Sequence, residues 1–248
     1  MSPTLRFVPA MYAAALSGRK TQTRRVITPQ PTEGCGLLPG PCELYHPTIE
    51  RKGMLEPGPE VYGIATEDEG WIATYGPPGT TLPIVTTWAI AREWDTLQPC
   101  IMDPDVITAE HPLWFNDGTE KPDWAGKSRP AMFFPRSLYH LARQARVTAV
   151  KAERVQRISE EDAIAEGAQR NDAPDEEWDG TYLTQRYING IEGSQDDEPH
   201  GSAKEWYREI WDSINAERGK GDNKGCYAWN NNPWVFATTF EVLPLSQP

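Results

Sequence analysis

The strongest structural signal in the sequence lies in residues 8–25, which read VPAMYAAALSGRKTQTRR. Apolar side chains recur in its first half at helical spacing and predict one helix with a single apolar stripe. Pro9 suits the first turn of that helix and Gly18 suits its end, because proline needs no N–H partner there and glycine accepts a left-handed turn. The stripe consists of Val8, Met11, Tyr12, Ala15 and Leu16.

Two more helices are predicted by their first residues. Ser159 and Ser202 each precede an acidic residue by three positions, which is typical of a helix N-cap. The first of these helices stops at Gly167. The second carries an apolar stripe at helical spacing that we expect in the core, formed by Trp206, Tyr207, Ile210, Trp211 and Ile214.

Short strands are predicted where β-branched and aromatic residues cluster or alternate, at residues 84–91, 131–134, 144–151 and 234–243. Residues 28–62 are rich in proline and glycine and predict a long surface loop. Short strands mixed with about three helices favour an α+β fold around a small, mostly antiparallel β-barrel.

The chain has 248 residues, and we expect one domain over 1–248 with flanking helices and long surface insertions at about 28–80, 95–126 and 168–201. No apolar run approaches the length of a membrane span, and the first residues lack the apolar region of a secretory signal. The four cysteines form no C-x-x-C pair. A reduced protein of the cytoplasm is the simplest interpretation.

Basic residues are concentrated in two segments of a chain whose net charge is −12. Residues 1–25 contain five basic residues and no acidic one, and residues 127–157 contain eight basic residues and one acidic one. If the two segments meet in the fold, they form a positive site for a nucleotide or an RNA backbone. Alternatively, they pair with the acidic segments and stabilise the fold.

The run Gly18-Arg19-Lys20-Thr21-Gln22-Thr23-Arg24-Arg25 resembles the G-x-K-T-x-T-x-R signature of the ASCH family, whose fold is a PUA-like β-barrel. Four more segments resemble family elements in the same order, and the last is similar to the closing strand of the phage-encoded and prophage-encoded branch. A phage origin would place the protein in the cytoplasm of a bacterial host. The four segments are residues 88–94, 129–136, 155–167 and 232–236.

The resemblance implies a cleft that faces a nucleoside, a modified base or RNA. One bacterial member of the family is an amidohydrolase that deacetylates acetylcytidine, and similarity to it implies three catalytic positions. Thr23 would be the nucleophile, Lys20 the proton acceptor and Glu166 the proton donor. A lysine base beside a hydroxyl nucleophile is a known variant of triad chemistry.

Other residues are candidates for ligand contacts. Arginine side chains suit phosphates and base edges, and exposed tryptophans stack on bases. Trp229 and Trp234 flank a polar turn and are the tryptophans expected to stack. The candidate ligand-binding residues are Thr21, Arg24, Arg25, Arg92, Glu93, Arg136, Trp229 and Trp234.

Several function classes remain open at this point. The protein is an amidohydrolase on a modified nucleoside, a binding module for RNA or a modified nucleotide, a ribonuclease, or a phage accessory protein that binds another protein through its acidic loops. No cofactor and no metal are expected, because the four histidines are scattered and the P-loop, dinucleotide-binding, zincin and nucleophile-elbow motifs are missing.

Overall fold

The computed structural model describes residues 4–31, 41–66, 70–102, 104, 107, 112–172, 179–183, 200–219 and 224–244. Within these ranges the chain is a mixed α+β fold with mostly antiparallel sheets and few helices. The helices are α1 (Pro9–Leu16), α2 (Glu160–Ala165) and α3 (Ala203–Asn215). The strands are β1 (Leu5–Arg6), β2 (Gln22–Val26), β3 (Glu43–Tyr45), β4 (Thr48–Arg51), β5 (Met54–Pro57), β6 (Val61–Thr66), β7 (Gly70–Ala73), β8 (Thr81–Val85), β9 (Trp88–Ala89), β10 (Trp114–Phe115), β11 (Arg143–Arg154) and β12 (Trp234–Val242).

A five-stranded sheet, in the order β1-β8-β11-β12-β2, forms the centre of the fold and curls into a half-barrel. Only the β1–β8 pair is parallel among its four strand pairs. The two edge strands approach each other at one end, where Arg25 Nη2 on β2 donates to the Arg6 carbonyl on β1 at 2.5 Å. Helix α1 connects these two edges, so the segment that follows it lies at the open side of the half-barrel.

Local signals set the ends of the helices as predicted. Pro9 begins α1, and Gly18 follows it with a φ of 78°. Ser159 Oγ accepts a hydrogen bond from the Asp162 backbone N–H at 3.1 Å, and Gly167 follows α2 with a φ of 109°. Ser202 caps α3 in the same way. These contacts depend on residues three or four apart, which is why the sequence reveals them.

Both faces of the long strand β12 are buried. One face packs on α1 and α3 in the main core, which contains Leu5, Tyr12, Trp206, Tyr207, Trp211 and Phe240. The other face packs on the small sheet β3-β6-β7 in a second cluster, which contains Ile27, Ile64, Ile72, Trp234 and Phe236. Strand β12 is therefore buried on both faces over residues 234–238, although its sequence alternates, whereas Glu241 near its end is exposed.

The prediction of a long loop over residues 28–62 is wrong for its second half. Residues 43–62 form β3, β4, β5 and the start of β6, whereas residues 32–40 lie outside the described ranges. The hairpin β4–β5 turns at Lys52 and Gly53, whose φ values of 53° and 78° match the two-residue turn that follows the twist of paired strands. The proline and glycine content of this region marks turns between strands.

Two strand predictions also need correction. Residues 131–133 form a 3₁₀ turn, because Pro130 and Pro135 flank them and proline cannot donate to a strand ladder. The strand expected at 84–91 is two strands, β8 and β9, of which β8 belongs to the central sheet and β9 pairs with β10. The strands expected at 144–151 and 234–243 are confirmed by β11 and β12.

The other two expected insertions contain little regular structure where they are described. In the region 95–126 the structure shows a short 3₁₀ turn at Pro99–Ile101 and the two-residue strand β10. In the region 168–201, Tyr182 forms isolated bridges with Arg170 and His200. Residues 173–178 and 184–199, which hold much of the predicted acidic loop, lie outside the described ranges.

Candidate functional site

The residues after α1 are held at the open side of the half-barrel by backbone hydrogen bonds. The Lys20 N–H donates to the Ala14 carbonyl at 2.9 Å, and the Thr21 N–H donates to the Ala165 carbonyl at 2.8 Å. The second bond ties β2 to the end of α2, where Glu166 follows. A side chain at Gly167 would approach Lys20 Cβ to 3.4 Å, so the two segments are in close contact.

Lys20 and Glu166 form a buried ion pair. Lys20 Nζ lies 2.7 Å from Glu166 Oε2 and 2.7 Å from the Glu166 backbone oxygen. Both residues are only 4% exposed. Nζ also lies 5.3 Å from the centre of the Phe7 ring, so the ammonium is surrounded by one carboxylate, one carbonyl and an aromatic face.

Arg24 connects this pair to two further carboxylates. Its Nη1 lies 3.2 Å from Glu166 Oε1, and its Nη2 lies 2.8 Å from Glu153 Oε1 and 2.6 Å from Asp162 Oδ2. Its Nη1 also donates to Gln22 Oε1. The Arg24 side chain is fully buried, and such a charge is tolerated because every part of the guanidinium has an acceptor.

The charges of this network balance. Lys151 Nζ lies 3.1 Å from Asp162 Oδ2 and 3.2 Å from Glu153 Oε2 at the exposed end of the network. Three cations therefore face three carboxylates. The six residues are Lys20, Arg24, Lys151, Glu153, Asp162 and Glu166.

Burial and charge shift the proton affinities of the network in different directions. Burial lowers the pKa of Lys20, and the neighbouring Glu166 carboxylate offsets only part of that effect. Burial also opposes the charge of Arg24, but Glu166, Tyr207 and Glu153 outweigh it and raise the pKa of Arg24. Lys20 is therefore the cation of the network that gives up its proton more easily than an ordinary lysine.

A cavity of about 190 Å³ opens beside the network. Lys20, Thr23, Arg24 and Glu166 all line it. Its walls also carry a set of aromatic and apolar side chains and three further arginines. The additional lining residues that matter below are Arg6, Phe7, Arg25, Trp206, Tyr207, Trp211 and Arg218.

Five of the eleven residues predicted as site residues line this cavity. They are Lys20, Thr23, Arg24, Arg25 and Glu166. Thr21, the next residue of the same segment, is half-buried, and its backbone pairs with residues of α2 and β12 instead of lining the cavity.

The other predicted contacts lie elsewhere. Arg92 and Glu93 are exposed on a 3₁₀ turn, where Arg92 Nη2 donates to the Asp123 carbonyl at 2.9 Å. Arg136 is exposed in a separate hollow beside Met132 and Phe133. None of the three lines the cavity beside Lys20.

The expectation that Trp229 and Trp234 are exposed for stacking needs correction. Trp229 is 7% exposed and packs in the main core with its ring 6.2 Å from that of Tyr207. Trp234 is 5% exposed and packs in the second cluster, where the Arg154 guanidinium covers it at 4.7 Å. The turn between them is polar, but Trp229 packs in the main core and Trp234, the first residue of β12, packs in the second cluster.

Sequence reasoning missed the carboxylates that hold Arg24. Glu153 is the one acidic residue of the second basic segment, and Asp162 was noted only as part of a helix start. The tryptophans of the cavity wall are Trp206 and Trp211, which were expected in the core. These two residues line the cavity because α3 lies beside β2, an arrangement that no local sequence pattern predicts.

Three of the eight basic residues in the second basic segment form ion pairs with described acidic residues. Arg129 lies 3.5 Å from Asp95, Arg146 pairs with Glu241, and Lys151 belongs to the buried network. The alternative that basic residues pair with acidic ones therefore holds for these three residues, whereas the first segment supplies the cavity with most of its positive charge.

Comparisons with protein-family models, with curated proteins and with solved structures return no match. In the described ranges no group of three or more histidine, cysteine, aspartate or glutamate side chains is arranged to hold a metal ion. No helix in the same ranges is long and apolar enough to cross a membrane. The chemistry of the cavity is what supports a function.

Proposed function

We propose that this protein binds a nucleoside or modified base in the cavity beside Lys20 and hydrolyses the amide of an acylated nucleoside such as acetylcytidine. With this function goes the finer assignment of the curled sheet to a PUA-like barrel of the ASCH family. The observation that carries the proposal is that Lys20, Thr23 and Glu166 line one cavity, although Glu166 lies 146 positions from Lys20 in the chain.

The cavity suits one heteroaromatic ring. A dry cavity of about 150 Å³ holds a benzene molecule, and this one is about 190 Å³. Phe7, Trp206 and Tyr207 supply aromatic walls. Aromatic side chains stack on the faces of bases, so these walls suit a nucleobase.

The Lys20–Glu166 pair supports acid and base roles at once. One proton is shared across 2.7 Å, and the pair is either an ion pair or a neutral amine beside a protonated carboxyl. Burial disfavours the charged form of Lys20 and so makes its neutral form easier to reach than in an ordinary lysine. In the neutral form Lys20 is a base and Glu166 is an acid, which are the roles that amide cleavage needs.

The proposed reaction returns the site to its starting state. The Thr23 hydroxyl attacks the acyl carbonyl and passes its proton to Lys20, and Glu166 protonates the leaving exocyclic amine as the C–N bond breaks. Water then attacks the acyl-threonine ester and gives a proton to Glu166, while Lys20 returns its proton to the Thr23 oxygen. The products are the free nucleoside and a carboxylic acid, and both protons are back in place.

Hydrolysis of acetylcytidine by the purified protein tests the proposal. We expect turnover by the wild type, and a loss of about a thousandfold or more in kcat for Thr23→Val, because removing a nucleophile leaves only the binding contribution. Lys20→Met and Glu166→Gln should lose activity as well. If Thr23→Val hydrolyses acetylcytidine as fast as the wild type, Thr23 is not the nucleophile. If the wild type itself shows no turnover, the protein is not this hydrolase.

Thr238→Val is the matched control. Thr238 lies directly opposite Thr23 on β12, is fully buried and does not line the cavity. Its hydroxyl has no hydrogen-bond partner in the described part of the chain, so valine removes nothing that the fold uses. This variant should keep the activity and the stability of the wild type.

A binding module without chemistry is the second candidate. Five basic residues and one acidic residue line the cavity, which favours an anionic ligand whether or not a bond is broken. Binding that survives in Thr23→Val, with no turnover by the wild type, would establish this function. Ribonuclease activity, a phage origin and a protein partner for the acidic loops stay predictions.

A further inference from the structure

The arginines at the cavity differ in their partners. Arg24 is held by three carboxylates in the buried network described above. Arg6, Arg25 and Arg218 also line the cavity, yet none of them forms an ion pair within the described part of the chain. Since the network is neutral as a whole, these three side chains carry the net positive charge of the cavity.

Arg25 is the most enclosed of the three. Its guanidinium lies 5.9 Å from the centre of the Phe7 ring, and its one hydrogen bond to the described residues is the 2.5 Å bond from Nη2 to the Arg6 carbonyl. A guanidinium offers five N–H donors in a planar fork, so most of its donors have no protein acceptor here. Its fork matches the oxygens of a phosphate, to which arginine binds in a bidentate manner.

The other two arginines are exposed at the cavity. Arg6 is the last residue of the edge strand β1, and its carbonyl accepts the hydrogen bond from Arg25. Arg218 follows α3, where its Nη1 donates to Asn215 Oδ1 at 2.7 Å and its guanidinium lies 5.8 Å from the Tyr227 ring. These contacts orient Arg218 without neutralising it. Three arginines without an ion pair among the described residues are a local concentration of positive charge in a chain of net charge −12.

We propose that Arg25, with Arg6 and Arg218, forms a phosphate subsite, and that the ligand of the cavity is a nucleoside monophosphate in preference to a free nucleoside. This proposal rests on the proposed function for the base and deepens it by naming the phosphorylated class of ligand. The cavity holds one ring, so a mononucleotide fills the ring pocket and places its phosphate among the three arginines.

Binding of cytidine and of 5′-CMP, measured by calorimetry, tests the subsite without any need for catalysis. Charge-assisted hydrogen bonds to phosphate correspond to about a tenfold or larger gain in affinity. We therefore expect 5′-CMP to bind at least about tenfold more tightly than cytidine, and the ratio to fall to near one in Arg25→Gln. Equal affinities for the two ligands, or no binding of 5′-CMP, would overturn the proposal.

Two variants keep the test independent of folding. Arg25→Gln removes a bond between the edge strands, so the double variant Arg6→Gln/Arg218→Gln leaves that residue in place and should still lower the ratio several-fold. Arg208→Gln is the matched control, because Arg208 is exposed on α3 and does not line the cavity. An equal loss of the ratio in Arg208→Gln would show a general charge effect and overturn the subsite.

Two further arms separate the outcomes. If an RNA oligonucleotide with an internal cytidine binds more tightly than 5′-CMP, the ligand is an RNA strand and the mononucleotide proposal is overturned. Hydrolysis of acetylcytidine and of its 5′-monophosphate with the same kcat/KM would overturn the phosphate subsite and leave the hydrolase intact. Preferential binding of 5′-CMP without any hydrolysis would support the subsite while refuting the enzyme.

Discussion

Replacing Glu166 by glutamine tests the buried pair on which the proposed chemistry depends. Glutamine keeps the size of the side chain and removes its charge. Arg24 retains Glu153 and Asp162 as partners, so the residue that loses its counter-charge is Lys20. Lys20 is 4% exposed, so in the variant its ammonium lacks a counter-charge unless the side chain releases its proton.

The size of the effect has a ceiling that depends on pH. Lys20 avoids being a buried, unpaired charge if it releases its proton. Deprotonating an ordinary lysine costs about 1.36 kcal/mol for each pH unit below its pKa, which is about 5 kcal/mol at pH 7 and about 2 kcal/mol at pH 9. Breaking a buried pair costs about 3–5 kcal/mol. We expect Glu166→Gln to lose about 3–5 kcal/mol of unfolding free energy at pH 7 and at most about 2 kcal/mol at pH 9.

The direction in which the stability of Glu166→Gln changes with pH follows from the protons bound by its folded and unfolded states. In the variant the folded state releases the Lys20 proton more readily than the unfolded state does, because burial lowers the pKa of this side chain and Glu166 no longer raises it. The unfolded state holds a protonated lysine up to its ordinary pKa. The unfolded state therefore binds more protons over this range, and the stability of the variant rises with pH.

Urea unfolding followed by tryptophan fluorescence at pH 7, 8 and 9 measures the effect. The double variant Lys20→Met/Glu166→Gln is the control, because it has no lysine to titrate and should show no added slope with pH. A destabilisation by Glu166→Gln that is the same at pH 7 and pH 9 would refute the reasoning. So would a double variant with the same slope as the single one.

Three further outcomes are expected. Hydrolysis of acetylcytidine should have a bell-shaped pH profile, because the active Lys20–Glu166 pair carries one proton. The alkaline limb of the profile should lie below the usual pKa range of a lysine, since burial lowers the pKa of Lys20. A flat profile would contradict the shared proton. Burial opposes the charge of Asp162, but hydrogen bonds from Lys151 and Gln22 outweigh it and hold its pKa below the ordinary value. The ionised Asp162 therefore stabilises the fold above the pKa of an unfolded aspartate, and this stabilisation is lost as the pH falls through the folded pKa. Asp162→Asn should make the loss of unfolding free energy at acid pH less steep. An unchanged slope at acid pH would refute this. Gly63→Ala should destabilise the sheet β3-β6-β7 by several kcal/mol, about the cost of overpacking or more. The reason is that the alanine Cβ would lie 1.9 Å from the Ile72 carbonyl oxygen. Thermal unfolding measures the effect, and Gly201→Ala is the control because its Cβ meets only Glu205 Oε2 at 3.7 Å.

Helix ends and long strands could be predicted because their signals are local. Pro9, Gly18, Ser159 and Ser202 act on backbone groups within one turn, and each of them does what the sequence predicts. Residues 131–134 show the limit of such patterns. Their apolar character resembles a strand, but the flanking prolines remove the donors that a ladder needs.

The candidate site was only partly visible in the sequence. Lys20, Thr23 and Arg24 stand close together in the chain, so their proximity was evident once the segment was noted. Glu166 was inferred from a resemblance, and the structure brings it to 2.7 Å from Lys20. Trp229 and Trp234 were misplaced because their polar turn is a local signal, whereas the burial of both faces of β12 is not.

The sequence by itself determined the helix ends, the two long strands β11 and β12, and the residue types at the site. Capping residues, glycines and apolar spacing act over three or four positions, and their meaning does not depend on the rest of the chain. Only the tertiary structure decided which carboxylate faces which cation. Glu153, Asp162 and Glu166 reach Arg24 from β11 and α2, so the register of distant segments decides which arginines are neutralised and which remain available to a ligand.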